Sequence, residues 1–175
     1  MDLTLTKRGD YVVRAALALA RAAPAGGYRK IREVAEEMDL PRPYTPWILK
    51  QLAGAGLAEA RAGQQGGYRL RRDPASISLL EVVEAAEGPL RPERCTLRGG
   101  PCHWQQMCAV HPAWEAATQA LRQALAATSL AAVAQVDQGL ASGAYLVPGS
   151  AHRQQTPRRG ATEPSEAVPM SSPPW

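Results

Sequence analysis

Along the N-terminal half of the chain, apolar residues recur at steps of three and four between short Pro- and Gly-bearing breaks, the pattern of several short amphipathic helices. Residues 10–22, DYVVRAALALARA, hold no breaker and are rich in Ala and Leu, which predicts a helix closed by Pro24, Gly26 and Gly27. In RKIREVAEEMDL, the spacing of Ile31, Val34, Ala35 and Met38 puts them on one buried face and turns Arg32, Glu36 and Glu37 to water. Asp39–Pro43 breaks that pattern, because Pro41 and Pro43 lack backbone donors and push the residues before them toward extended geometry. YTPWILKQLAGAGL then resumes helical spacing through Tyr44, Trp47, Ile48 and Leu52, with Pro46 in the first turn and Gly54 and Gly56 at the end. Trp47, beside Ile48, reads as core, while Tyr44 suits the core and a DNA contact equally. Two short helices around a tight turn predict a helix-turn-helix.

Residues 57–72 form two short segments around G-x-x-G-G, where glycine supplies the positive φ of a hairpin turn, and the hairpin has basic flanks. Ser78 with Glu81 is a capping box, Leu79, Val82, Val83 and Ala86 make an apolar face, and Gly88-Pro89 ends a helix over 78–87. From Leu90 to Met107 the chain is irregular, after which Pro112 opens a long Ala-rich helix. On it Trp114, Ala117, Leu121 and Leu125 form an apolar seam suited to a partner helix, and Ser129 caps a further short helix, LAAVAQ. Beyond residue 138 the composition of Gly, Pro, Ser, Gln and Arg predicts a disordered tail.

Charge sharpens this picture. The net charge of +4 hides a division, for residues 1–72 carry thirteen Lys or Arg against seven Asp or Glu, and the remainder seven against nine. The basic half is the polyanion-binding half. The helix-turn-helix places Arg42, Tyr44, Thr45 and Lys50 at the recognition helix, and the hairpin adds Arg61, Gln64, Gln65 and Arg69, so these eight are the candidate contacts to double-stranded DNA. The N-terminus, MDLTLTKRGDY, carries charge where a secretory signal needs an apolar stretch, and no long apolar run suggests a membrane span, so a cytoplasmic location is expected.

The three cysteines, Cys95, Cys102 and Cys108, lie within one short stretch, with His111 just beyond. An odd, clustered set is a poor disulfide framework, whereas thiolates are soft anionic donors for iron or zinc. A four-ligand site needs one more donor, and His111, near in sequence, and Asp10, at the start of the first helix, are the candidates. Zinc in a Cys3His site competes with iron, and a thiol enzyme using Cys108 and His111 is the reading from another class, without an obvious oxyanion hole or substrate motif to support it.

The succession LTKRGDYVVRAALALA, IREVAEEMDLPRPYTPWILKQLAGAGLAEA, GQQGGYRL, SISLLEVVEAAEGPL and C-x6-C-x5-C-x2-H resembles the IscR/NsrR-like family of winged-helix iron-sulfur transcriptional regulators. That resemblance implies a non-enzymatic, mainly α fold with a small β-hairpin wing: a winged helix-turn-helix over 1–75, a cluster-binding loop and dimerisation helices over 76–137, and the tail over 138–175. It implies a homodimer built on the long C-terminal helix, and a repressor whose promoter affinity follows an iron-sulfur cluster sensing redox, nitric oxide or iron-sulfur status. In the IscR-like pattern Cys95, Cys102, Cys108 and His111 would hold a [2Fe-2S] cluster. In the NsrR-like pattern Asp10 would join the three cysteines on a [4Fe-4S] cluster. Pro46 departs from the family, occupying a recognition-helix position often held by a base-contacting polar residue, and so does Ala62, where many relatives carry arginine in the wing.

Overall fold

Helix α1 (Lys7–Ala22) is the element on which the others pack in this computed structural model, which describes residues 4–90 and 108–144. It starts before the expected Asp10 because Thr6 supplies the N-cap, its hydroxyl accepting from the Gly9 amide at 3.1 Å. The Glu87 carboxylate then accepts from the Thr6 amide (3.1 Å) and hydroxyl (2.6 Å), placing an anion at the positive end of α1. Gly9 permits this approach, since a Cβ at that position would collide with Glu87 Oε1.

Helices α2 (Ile31–Glu37) and α3 (Thr45–Gly54) form the helix-turn-helix. Val34, Ala35 and Met38 are buried as their spacing predicts, but Ile31 is 37% exposed. It is the first residue of α2, and helical side chains lean toward the N-terminus, so its side chain extends off the end of the packed face. In the turn, Asp39 takes a positive φ, a conformation Asp tolerates better than most residues, and buried Leu40 donates its amide to the Ala35 carbonyl at 2.8 Å.

The hairpin pairs β1 (Ala58–Arg61) with β2 (Gly67–Leu70) in the register Ala58↔Leu70, Glu59↔Arg69, Ala60↔Tyr68 and Arg61↔Gly67. Ala58 and Leu70 point into the core, so the alternation of the strands turns Glu59, Arg61 and Arg69 outward together. Arg29 adds a one-residue third strand, exchanging backbone hydrogen bonds with Tyr68 at 2.8 and 2.9 Å. A side chain at Gly67 would strike the Arg29 carbonyl, which is why glycine stands there.

Helix α4 (Leu79–Glu87) has the expected Ser78–Glu81 capping box, and α5 (His111–Ala127) rests on it. Helix α6 (Leu130–Ala141), capped by Ser129, runs past residue 138, where the tail was expected to begin; residues 145–175 lie outside the described residues. Backbone bonds from Leu79 to Thr128 and from Leu130 to Ile77, each 2.8 Å, join the starts of α4 and α6. Ile77, Val82, Ala86, Leu130 and Ala134 share one core with Val12, Leu19, Leu49 and Leu52, so the hydrophobic interior runs continuously across the expected boundary at residue 75. Among the described residues no helix is long and apolar enough to cross a membrane.

Because Leu130 is fully buried in that shared interior, Leu130→Ala is expected to cost about 2–5 kcal/mol. Urea unfolding followed by circular dichroism should remain a single transition with a lower midpoint; two separated transitions would show that the C-terminal helices fold apart from the helix-turn-helix.

Candidate nucleic-acid interface and metal ligands

The inward face of α3 is made by Thr45, Ile48, Leu49 and Leu52, all fully or nearly fully buried. Thr45 was expected at the DNA surface, but its hydroxyl donates to the Pro41 carbonyl at 3.1 Å and locks the helix start from inside. Trp47 was expected in the core and is 47% exposed, because the inward arc is already filled by its neighbours and position 47 falls on the opposite side. The outward stripe therefore runs through Tyr44, 61% exposed, Trp47 and Lys50. Lys50 has no ion-pair partner among the described residues, whereas Arg42, just before α3, donates to Glu36 at 2.8 Å. That pair is well exposed, and such pairs contribute little, so Arg42 exchanges its carboxylate for a phosphate at small cost.

On the outer face of the wing, Glu59 accepts from Arg69 at 2.6 Å and from the Tyr28 hydroxyl at 2.8 Å. These bonds, Arg69 first, hold the Glu59 carboxyl below the usual carboxylate range, and the same contact raises the Arg69 guanidinium. The Tyr28 ring lies under both Arg69 (4.7 Å) and Arg61 (5.8 Å). Arg69 is thus neutralised within the wing, while Arg61 keeps its charge free of any carboxylate among the described residues. At the wing tip Gln64 and Gln65 are exposed, and Lys30 Nζ donates to the Gln64 carbonyl, tying the start of α2 to the tip.

A second ionic array was not foreseen from sequence. Asp137 of α6 is only 6% exposed and pairs with Arg21, in the last turn of α1; Arg21 also reaches Glu37 at 3.3 Å, and Glu37 accepts from Arg29 at 2.6 Å. Since Arg29 carries the backbone pairing to Tyr68, alternating charges run from α6 through α1 and α2 to the base of the wing. The readable signal was Asp137 itself, an acid seven positions after Leu130 and three after Ala134 on the apolar face of α6.

Of the candidate metal ligands, Cys95 and Cys102 lie outside the described residues. Cys108 is a half-buried free thiol whose carbonyl accepts from the His111 amide at 3.0 Å. His111 opens α5 with its ring exposed and Nε2 3.6 Å from Glu115. Asp10 is engaged differently: Arg14 donates to both its oxygens, at 2.9 and 2.5 Å, and also to the Met38 carbonyl at 3.1 Å. That fork raises the Arg14 guanidinium above its ordinary value. Among the described residues, no group of three or more His, Cys, Asp or Glu stands together as a metal site. On α5 no residue is buried; Trp114 and Leu125 are half-buried, and Ala117 and Leu121 are exposed.

A helix-turn-helix followed by a two-stranded hairpin wing defines a winged-helix protein. The chain belongs to the Rrf2 family, described as iron-dependent transcriptional regulators, whose model matches residues 5–136. Two Neisseria meningitidis proteins that carry the name HTH-type transcriptional regulator, NMA1593 and NMB1378, are each 29% identical over 131 residues, spanning 75% of this chain and 87% of theirs. Among solved structures, CymR (YrzC), the global cysteine regulator of B. subtilis, is similar in fold with a TM-score of 0.65 at 23% identity, covering 77% of this chain and 98% of that one. T. potens IscR matches with a TM-score of 0.63 at 25% identity, covering 86% of this chain and 96% of that one.

Arg21→Ala removes the guanidinium that pairs with the nearly buried Asp137, so a cost of about 3 kcal/mol is expected. The double variant Arg21→Ala/Asp137→Leu should recover most of that loss in urea titrations. If the double variant is as unstable as the single, Asp137 is not the origin of the cost.

Proposed function

We propose that this protein is a cytoplasmic, homodimeric repressor that holds promoter DNA with α3 and the wing, its affinity set by an iron-sulfur cluster on Cys95, Cys102 and Cys108. The observation that carries the DNA reading is the outward recognition stripe with Lys50, joined to a wing whose Arg61 has no carboxylate partner among the described residues. The open apolar seam of α5, with Leu121 41% exposed, supports pairing of that helix with the same helix of a second copy.

The donor set fits the cluster. Cys108 offers a free thiol three residues before His111, and the family is described as iron-dependent. When bound, such a cluster supplies a redox-active centre that oxidants and nitric oxide attack. His111 is the better fourth donor. Its ring makes no hydrogen bond among the described residues, and Glu115 stands beside Nε2 as the carboxylate partner that ligating histidines commonly have. Recruiting Asp10 would take from Arg14 its two bonds to that carboxylate, leaving only its bond to the Met38 carbonyl. A second reading keeps the fold and DNA site but replaces the cluster with zinc or reactive thiols; it is favoured by the likeness to CymR, a cysteine regulator by name.

Anaerobic absorption and native mass spectrometry of the full chain test the cofactor. A brown protein with a cluster mass is expected, while a colourless protein carrying zinc would establish the second reading. Cys95→Ala, Cys102→Ala or Cys108→Ala should each abolish the cluster, and His111→Ala should alter the visible spectrum and shorten its lifetime in air. An unaltered His111→Ala spectrum with a changed Asp10→Ala spectrum would assign the ligand to Asp10.

Salt titrations by fluorescence anisotropy test the DNA face. Arg61→Ala and Lys50→Ala should each weaken promoter binding and reduce the slope of log K against log salt by about 0.9 for each phosphate no longer neutralised. Arg69→Ala should change the slope less, because Glu59 already occupies that guanidinium. Slopes unchanged in both Arg61→Ala and Lys50→Ala would place the DNA face elsewhere.

A further inference from the structure

The recognition helix is poor in the groups that read bases through hydrogen bonds. Major-groove readout relies on Arg or Lys against guanine and on Asn or Gln against adenine. The exposed residues of α3 are Pro46, Trp47, Lys50 and Gly54, with Tyr44 at its cap. Pro46 has no amide to donate. Gln51, the only amide side chain on the helix, is turned inward, its Nε2 donating to the Ala85 carbonyl at 2.8 Å. Arg42 precedes the helix, and its exposed pair with Glu36 leaves it suited to a phosphate. What α3 does present is two large aromatic side chains three residues apart, on adjacent turns of one face, flanked by the cations Arg42 and Lys50.

We propose that Tyr44 and Trp47 select DNA through the C5-methyl groups of thymine, the apolar feature of the major-groove floor. The proposal rests on the reading above that α3 enters that groove. The flanking charges favour this occupant over an apolar protein surface, because Arg42 and Lys50 on either side of the aromatic pair match phosphates bordering a groove. Lys50, a point charge on a flexible stem, suits a phosphate, leaving the aromatic bodies over the base edges. The operator is then defined by where thymines fall in each half-site rather than by guanines.

The test uses the full-length protein and a duplex that it selects from a random-sequence library. Each thymidine of that duplex is replaced in turn by deoxyuridine, which removes the methyl group and leaves the hydrogen-bonding pattern of the base pair intact. At the contacted thymines affinity should fall about fourfold, the factor corresponding to burial of one methyl group. Trp47→Ala and Tyr44→Ala, at positions 47% and 61% exposed and with urea midpoints that should stay near wild type, should each erase the thymidine-to-deoxyuridine difference at one position. A selected site without thymine at its recurring positions, deoxyuridine duplexes bound as tightly as the parent, or variants that keep the full methyl dependence would each overturn the inference while leaving DNA binding intact. Failure to select any duplex would overturn the DNA reading and this inference with it.

Discussion

The run Ala15–Ala20 in α1 is buried on every side of the helix, and the architecture depends on that burial. A helix apolar around its whole circumference has no face to give to water, so other elements must surround it. Alanine makes this geometrically economical, since small side chains let neighbouring backbones approach closely while Leu17 and Leu19 fill the remaining space. Helices α3, α4 and α6 and strand β2 all pack on α1, and its two ends are fastened by charge: Glu87 at the start, and Arg21 with Asp137 at the finish.

Those fastenings change the meaning of the charge count. The N-terminal half is rich in arginine, yet Arg14, Arg21, Arg29, Arg42, Arg69 and Arg72 each have a carboxylate partner. Partly buried pairs, such as Arg21 with Asp137, hold elements in place because separation would strand a charge. Exposed ones, such as Arg42 with Glu36, are weak enough to yield to a polyanion. Lys50 on the recognition helix and Arg61 on the wing are among the cations without an ion pair among the described residues.

A series of packed and hydrogen-bonded contacts also connects α5 with the turn before the recognition helix. Cys108 and His111 sit at the start of α5, α5 rests on α4, and the end of α4 caps α1 through Glu87. Arg14 of α1 in turn grips the Met38 carbonyl at the turn between α2 and α3. The contact of α5 with α4 lies toward its far end, where Arg122 pairs with Glu84 at 2.5 Å, so these links join the body of α5, and not its first turn, to the turn that precedes α3.

Periodicity, caps and turn residues determined the elements: the spacing of Val34, Ala35 and Met38, the Ser78–Glu81 box and the glycines after Arg61 are local signals, and the helices and hairpin follow them. The cysteine and histidine spacing likewise made the ligand candidates legible, because a motif of neighbours in sequence needs no fold to be seen. Tertiary packing decided what spacing could not. It turned Thr45 inward and Trp47 outward, since a helix of mixed polarity has more than one self-consistent face and its neighbours select one. It assigned Asp137 to Arg21 and Glu59 to Arg69, pairings between distant or cross-strand residues. It also fused the expected domains into one core, because Leu130 and Val12 meet only once the chain has turned back on α1, and no local pattern records which buried surfaces will share an interior.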